Sequence, residues 1–354
     1  MEKAIPLSSA TRLTPIKVWA AIGALCLVYT VWMLIQWFTG PDFAPVAPPS
    51  PRDPGVERIT FWAQVICAGL SIGCLWFWVV APRIKTGQFS LVGLMFLASL
   101  TTYVHDPLSN YYSYGIAYNS YFLNFGSWAN SWFGFSYPGQ GRMPEGFITV
   151  GSTYLWFNIL FPILFTALMK LWDRRFTNRK RIHLFVLLFI TMFVVDSIQE
   201  IFYLRFGLYS YIGASHKWSF FGGHYYQFPI FIGVFTAFFW FGFTSLMYYR
   251  DDRGQSWAER GLEKLNLPKA QHTLMRFLAL TGASWAISLG AYFIPVQWMY
   301  THGDAIPTDT PDYIVNGLCG DAAGWPCPGR GVPLPRRDPD GNGHSEWVIQ
   351  KARD

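Results

Sequence analysis

Long apolar runs alternate along the chain with polar or aromatic connectors. Seven runs, at 18–38, 59–81, 89–104, 153–172, 184–204, 228–249 and 277–298, approach or exceed the about 20 helical residues that cross a bilayer. The third is short, so its helix is predicted either to continue into the segment that follows or to sit beside thinned lipid. The first run lacks the short core and A-x-A-like site of a cleaved signal peptide and ends at Gly40-Pro41, which marks it as a retained helix. The predicted fold class is all-α, a polytopic membrane helix bundle with about seven transmembrane helices. Its parts are an N-terminal segment at 1–17, a membrane domain at 18–300 containing a long aromatic-rich connector at 105–151, and a polar tail at 301–354.

Charge orients the bundle. Seventeen of the 27 Lys and Arg fall in one set of connectors, including six at 170–181 and six at 250–276, while the opposite loops hold only Arg52, Arg58, Arg142, Arg205 and Lys217. Short basic loops resist translocation, so the N-terminus is expected in the cytosol and the C-terminus outside. These loops also account for the net charge of +6, and nothing in it calls for a nucleic-acid partner. Composition excludes an ordinary soluble enzyme: 52% of the residues are hydrophobic and 14% charged, against about 25% charged in soluble domains. Cys26, Cys67 and Cys74 lie inside spans, where cysteine behaves as a small apolar residue. Cys319 and Cys327, in the external tail, can close a small disulfide loop or remain two free thiols. Residues 338–343 match the first half of a calcium loop, but Ile349 occupies the position of its bidentate Glu, and the tail is read as polar and disordered instead.

A carboxylate inside a span costs about 2.5–3.5 kcal/mol on insertion scales and persists only with a reason. The fifth run holds Asp196, Gln199 and Glu200, which spacings of three and four place on one helix face, with Tyr203 continuing it. Two carboxyls one turn apart in low dielectric do not both ionise cheaply, so one is expected to hold a proton near neutral pH and the pair can act as acid and base. The competing reading is a buried pair that only hydrogen-bonds neighbouring helices. With the orientation above, Gln36, Gln64, Asn158, Asp196, Gln199, Glu200 and Gln297 all fall in the outer halves of their spans, which predicts a polar chamber toward the non-cytosolic leaflet. The connector at 105–151 faces the same side. It sets Asp106, Asn110, Asn119 and Asn124 among Tyr111, Tyr118 and Trp128, a composition that suits an apolar, oxygenated small molecule and equally an interfacial aromatic belt. His216 and His224, on the connector at 207–226, are read as interfacial residues, because with His105 they form no compact metal motif. A serine-hydrolase elbow, a P-loop and a dinucleotide signature are all missing.

Several of these residues form a longer pattern. His105-Asp106-Pro107, Asn110, Asn119, Asn124, Gly126-Ser127-Trp128, Pro138 and Pro144-Glu145 make its first half. Asp196-x-x-x-Glu200, Phe202, Gly207, Tyr209-Ser210-Tyr211, Gly213, Tyr226-Gln227 and Pro229 make its second. In order and spacing this resembles the avermectin spirocyclase (AveC-like) family of bacterial membrane proteins, from about the second span to the sixth. The resemblance implies a cyclase of secondary metabolism in the bacterial plasma membrane, forming a spiroketal from a dihydroxy-ketone polyketide, in some members with dehydration. The expected partners are an apolar oxygenated substrate and the lipid bilayer, and no metal or other cofactor is needed. On this reading Glu200 donates the proton, Asp196 is its anionic partner and Asp106 a second base. Asn110, Asn119, Asn124 and Gln199 orient substrate oxygens, and Tyr111, Tyr118, Tyr203 and Trp128 shape the chain. Three alternatives stand beside it: a cyclase or hydratase of terpenoid, carotenoid or sterol-like lipids, a proton-coupled transporter, and a non-catalytic scaffold. The inner halves of the spans lack the polar residues a transport path requires.

Overall fold

A computed structural model describes residues 13–110, 115–133, 143–177, 180–300, 302–304 and 306–315. Tyr111, Pro138, Cys319, Cys327 and the segment 338–343 lie outside the described residues. Seven helices are long and apolar enough to cross a membrane: α1 Pro15–Thr39, α2 Pro54–Thr86, α3 Leu91–Asn110, α4 Thr149–Arg175, α5 Arg181–Arg205, α6 Ile230–Tyr248 and α7 Lys269–Tyr300. Their starts follow local chemistry. Pro15 opens α1, where a missing N–H costs nothing. Asp53 caps α2 by accepting from the Gly55 N–H at 2.7 Å, and Ser90 caps α3 by accepting from the Gly93 N–H at 3.0 Å.

The third span reaches membrane length by running on past 104. Its α-helical part gives way to a 3-10 stretch, Thr101–His105, and resumes as Asp106–Asn110 with Pro107 in the first turn. His105, Asp106 and Asn110 therefore belong to the end of a spanning helix, and the loop proper begins after them. Two other helices contain a single π turn, Leu75–Val80 in α2 and Leu289–Phe293 in α7.

The most extensive helix contact is between α1 and α7, where Gly23 meets the Leu278 carbonyl and Gly282 the Trp19 carbonyl so closely that neither site has room for a Cβ. α2 packs along α4, α5 along α6, and α3 and α6 both against α4. At the end opposite the basic loops, the connectors fold into a roof. β1 (Ala117–Tyr118) pairs antiparallel with β2 (Tyr209–Ser210), setting Tyr118 opposite Tyr209, and β3 (Ser219–Phe220) pairs with β4 (Phe228–Pro229). A last helical turn, α8 (Asp312–Val315), is tied down by Ser120, whose N–H and hydroxyl both donate to the Tyr313 carbonyl, at 2.8 and 3.0 Å.

Candidate active site

Beneath the roof lies a cavity of about 590 Å³, within the ~300–1,000 Å³ of small-molecule sites. Its walls come from α2, the end of α3, α4, α5, α6 and α7, and its ceiling from the two connectors joined by the Tyr118–Tyr209 pair. Two carboxyl centres face it.

The first is Asp106, carried by the continued end of α3. Tyr154 of α4 donates to its Oδ1 at 2.7 Å, Tyr118 of β1 to its Oδ2 at 2.9 Å, and the Asn110 amide, one turn on, also donates to Oδ2. Three donors on one carboxyl suit its anionic form. Glu145 is buried beside it, 1% exposed. Among the described residues its two oxygens make no hydrogen bond of ordinary geometry, although Asp106, Asn110 and Tyr103 are near enough to act on it. Burial, followed by the charge of Asp106, pushes the Glu145 carboxyl well above its usual range.

The second centre is on α5. Glu200 lines the cavity, and its Oε2 accepts from the hydroxyl of Tyr211, at 2.6 Å, and from that of Tyr209. Those two tyrosines are two residues apart, so the extended segment around β2 points both at the same carboxyl. Burial and then the Glu200 charge push both phenols well up, so they serve as donors only. Asp196, one turn before Glu200, lines the cavity at greater depth; it is 0% exposed and makes no hydrogen bond of ordinary geometry among the described residues, although Thr236 is near enough to act on it. Tyr118 and Tyr209 meet edge to face with ring centroids 5.9 Å apart, linking the two centres through their donors.

Of the residues singled out in the sequence, Asp106, Tyr118, Asp196, Gln199, Glu200 and Tyr203 come together around this cavity. Asn110 stands behind Asp106. Asn119 and Asn124 do not reach the cavity, because backbone groups occupy their amides. Asn119 donates to the Gly207 carbonyl at 2.8 Å, while Asn124 accepts from the Val46 N–H at 2.8 Å and donates to the Val46 carbonyl at 3.1 Å. They clasp connectors together away from the cavity lining. The indole N–H of Trp128 likewise donates to the Val104 carbonyl, at 2.9 Å, in the 3-10 stretch of α3. His105 is caged by Trp285, 4.2 Å away between centroids, and by Trp132 and Phe293. His224 pairs with Asp309 at 2.9 Å in the roof.

Sequence reasoning gave no role to Glu145, Tyr154, Tyr209, Tyr211 or Tyr292. The last lines the cavity from the π turn of α7 and lies within electrostatic reach of Asp106, Asp196 and Glu200. A π turn places one extra residue in a helical turn, a device frequent at functional sites. The family pattern that contains Glu145, Tyr209 and Tyr211 was the available signal for three of them.

No protein of curated function and no solved structure matches the chain. The family described as spirocyclase, AveC-like, matches residues 88–315, a stretch that runs from the start of α3 to α8 and contains both carboxyl centres. That match supports a cyclase-type activity in secondary metabolism. The chain belongs to the AveC-like spirocyclase family.

Proposed function

We propose that this protein is a membrane-embedded cyclase that closes a spiroketal, with loss of water, from a dihydroxy ketone of polyketide type. The observation that carries the reading is a pair of tyrosine-held carboxyl centres, Asp106 and Glu200, on one largely apolar cavity. Ketal formation needs an acid to expel a hydroxyl, an anion to steady the resulting cation and a base for the attacking hydroxyl, roles that glycosidases also divide between carboxyl groups.

The hydrogen bonds favour a division of roles opposite to the one expected from sequence. Glu200 accepts two phenolic donors, an arrangement that suits a carboxylate, while Asp196 is buried without such donors, an arrangement that suits a carboxylic acid. In the proposed sequence, one substrate hydroxyl adds to the ketone with Asp106 as base, and its proton ends on the former carbonyl oxygen, giving a hemiketal. Asp196 then protonates that hydroxyl, which leaves as water, and the oxocarbenium ion forms beside Glu200. The second hydroxyl attacks the cation and returns its proton to Asp196. One water is lost, and every carboxyl ends as it began. The aromatic ceiling of Tyr118, Tyr209 and Tyr211 keeps bulk water from the cation.

Metabolite profiling by mass spectrometry tests this in the native host with the gene deleted and then complemented. The expected outcome is accumulation of a precursor heavier than the product by one water, cleared by the wild type and not by Glu200→Gln or Asp196→Asn. Absence of such a pair, or full rescue by both variants, would overturn the reading in favour of transport or a scaffold role.

A further inference from the structure

The described connectors roof the cavity on the loop side, while its flank between α2 and α5 is lined by exposed side chains. α2 contributes Ile59, Trp62, Ile66 and Leu70 to the cavity lining, a stripe at helical spacing, and α5 and the residue that caps it contribute Phe202 and Phe206. All six are also exposed, Ile66 and Phe202 each at 59%. Side chains that line a cavity and stand exposed outside it mark its mouth. The helix packing explains why a mouth exists here. α2 leans on α4 and α5 on α6, while α2 and α5 share few contacts, Cys67 of α2 lying near enough to act on Tyr203 of α5. The loop side is different. β1–β2, the clasp from Asn119 to Gly207 and the anchoring of α8 by Ser120 tie the described connectors together over the cavity. The mouth lies within two membrane-spanning helices and is rimmed by apolar side chains, so it faces hydrocarbon; Arg58, at the outer end of the α2 stripe, is placed to reach the interface.

We infer that the substrate enters sideways from the bilayer between α2 and α5, and that it is a lipid-dissolved molecule, apolar over most of its length, with its hydroxyl and ketone oxygens grouped in one part. This rests on the reading of the cavity as the reaction chamber. An apolar molecule that arrives laterally stays in contact with apolar surface throughout, from the lipid chains to the α2–α5 stripe and then to the cavity wall. Its oxygens exchange bilayer for carboxyl and phenol groups only on reaching Asp106 and Glu200.

The test is photolabelling in lipid nanodiscs with a long-chain hydroxy ketone that carries a diazirine, added to the lipid phase and mapped by mass spectrometry. In a background with the native cysteines replaced by alanine, Ile66→Cys and Phe202→Cys are joined by a cleavable bis-maleimide. Labelling of Tyr209 at the cavity ceiling is expected to fall by an order of magnitude on bridging and to recover when the linker is cut. Ala63→Trp, which fills the mouth without a linker, should produce the same loss. Equal labelling of the open, bridged and Ala63→Trp proteins would overturn lateral entry. So would cross-linking of Ile66→Cys between two chains, because a second copy would then cover the mouth. Labelling requires no turnover and the water-loss assay in the host requires no label, so a failure of the catalytic proposal and a failure of the portal are read separately.

Discussion

Glu145 and Asp106 form a buried carboxyl pair in which three donors favour charge on Asp106 and burial beside that charge favours a proton on Glu145. The sign of the resulting pH dependence follows. The unfolded chain releases the Glu145 proton near the ordinary value of 4.5, whereas the folded chain retains it to higher pH. The contribution of the protonated form is therefore complete below that value and is lost as pH rises toward the folded pKa. Thermal unfolding in detergent between about pH 5 and 9 should show stability falling with pH, and Glu145→Gln should flatten that slope. A slope unchanged in the variant would place the proton elsewhere. At the second centre, Tyr211→Phe removes one donor to Glu200 and keeps the ring. Hydrogen bonds to charged groups contribute about 1.5–3 kcal/mol, so turnover should drop by about one to two orders of magnitude with binding little changed. A drop confined to KM would assign Tyr211 to substrate contact instead.

Among the elements, the α1–α7 contact is the most sensitive to added volume. Gly282→Ala introduces a methyl group where the Trp19 carbonyl already sits, and overpacking of this kind costs about 1–3 kcal/mol. The expected result is a lower unfolding temperature with the cavity residues undisturbed, measurable as reduced Tm with unaltered photolabelling. The helices themselves were legible in the sequence because a bilayer demands about 20 apolar residues and little else produces them. Asp196 and Glu200 were legible for a related reason, since carboxyls are rarely placed inside a span. The backbone partners of Asn119 and Asn124 were not legible. An amide among aromatic residues reads the same whether it meets substrate or a distant backbone carbonyl, and their partners at Gly207 and Val46 are set by tertiary folding. Tyr154, Tyr209 and Tyr211 were hidden among the many tyrosines of an interfacial composition, and Tyr292 depends on a π turn that apolar periodicity does not signal. Asp106 was singled out as a candidate base but placed in the connector, because the apolar run ends at Val104, whereas the helix resumes at Asp106 with Pro107 in its first turn.

At the scale of the molecule, the basic connectors and the roofed cavity lie at opposite ends of the bundle. If the positive loops face the cytosol, a cysteine introduced at Thr310 in the roof reacts with a membrane-impermeant maleimide on intact cells, and one at Asp173 reacts only after lysis. The reverse pattern would invert the bundle and put the cavity in the inner leaflet. The mouth between α2 and α5 adds a second whole-molecule property, because α2 lies outside the matched region 88–315 while both acids lie inside it. Substitutions along α2 are expected to change which molecules gain entry and to leave the acid chemistry intact.

The two-residue ladder between β1 and β2 has a consequence for how the chain could be divided. Asp106, Glu145, Tyr118 and Tyr154 precede the basic connector between α4 and α5, and Asp196, Glu200, Tyr209 and Tyr211 follow it. Each half of the polypeptide thus carries two acids, one of them held by its own phenolic donors, and the halves meet at Tyr118 and Tyr209. A gene cut at that connector should yield two membrane fragments, each inert alone, that regain turnover when produced in the same cell. Insertional tolerance at the cut, and intolerance of any added residue in the strands, would identify this ladder as the seam along which a working catalyst is assembled.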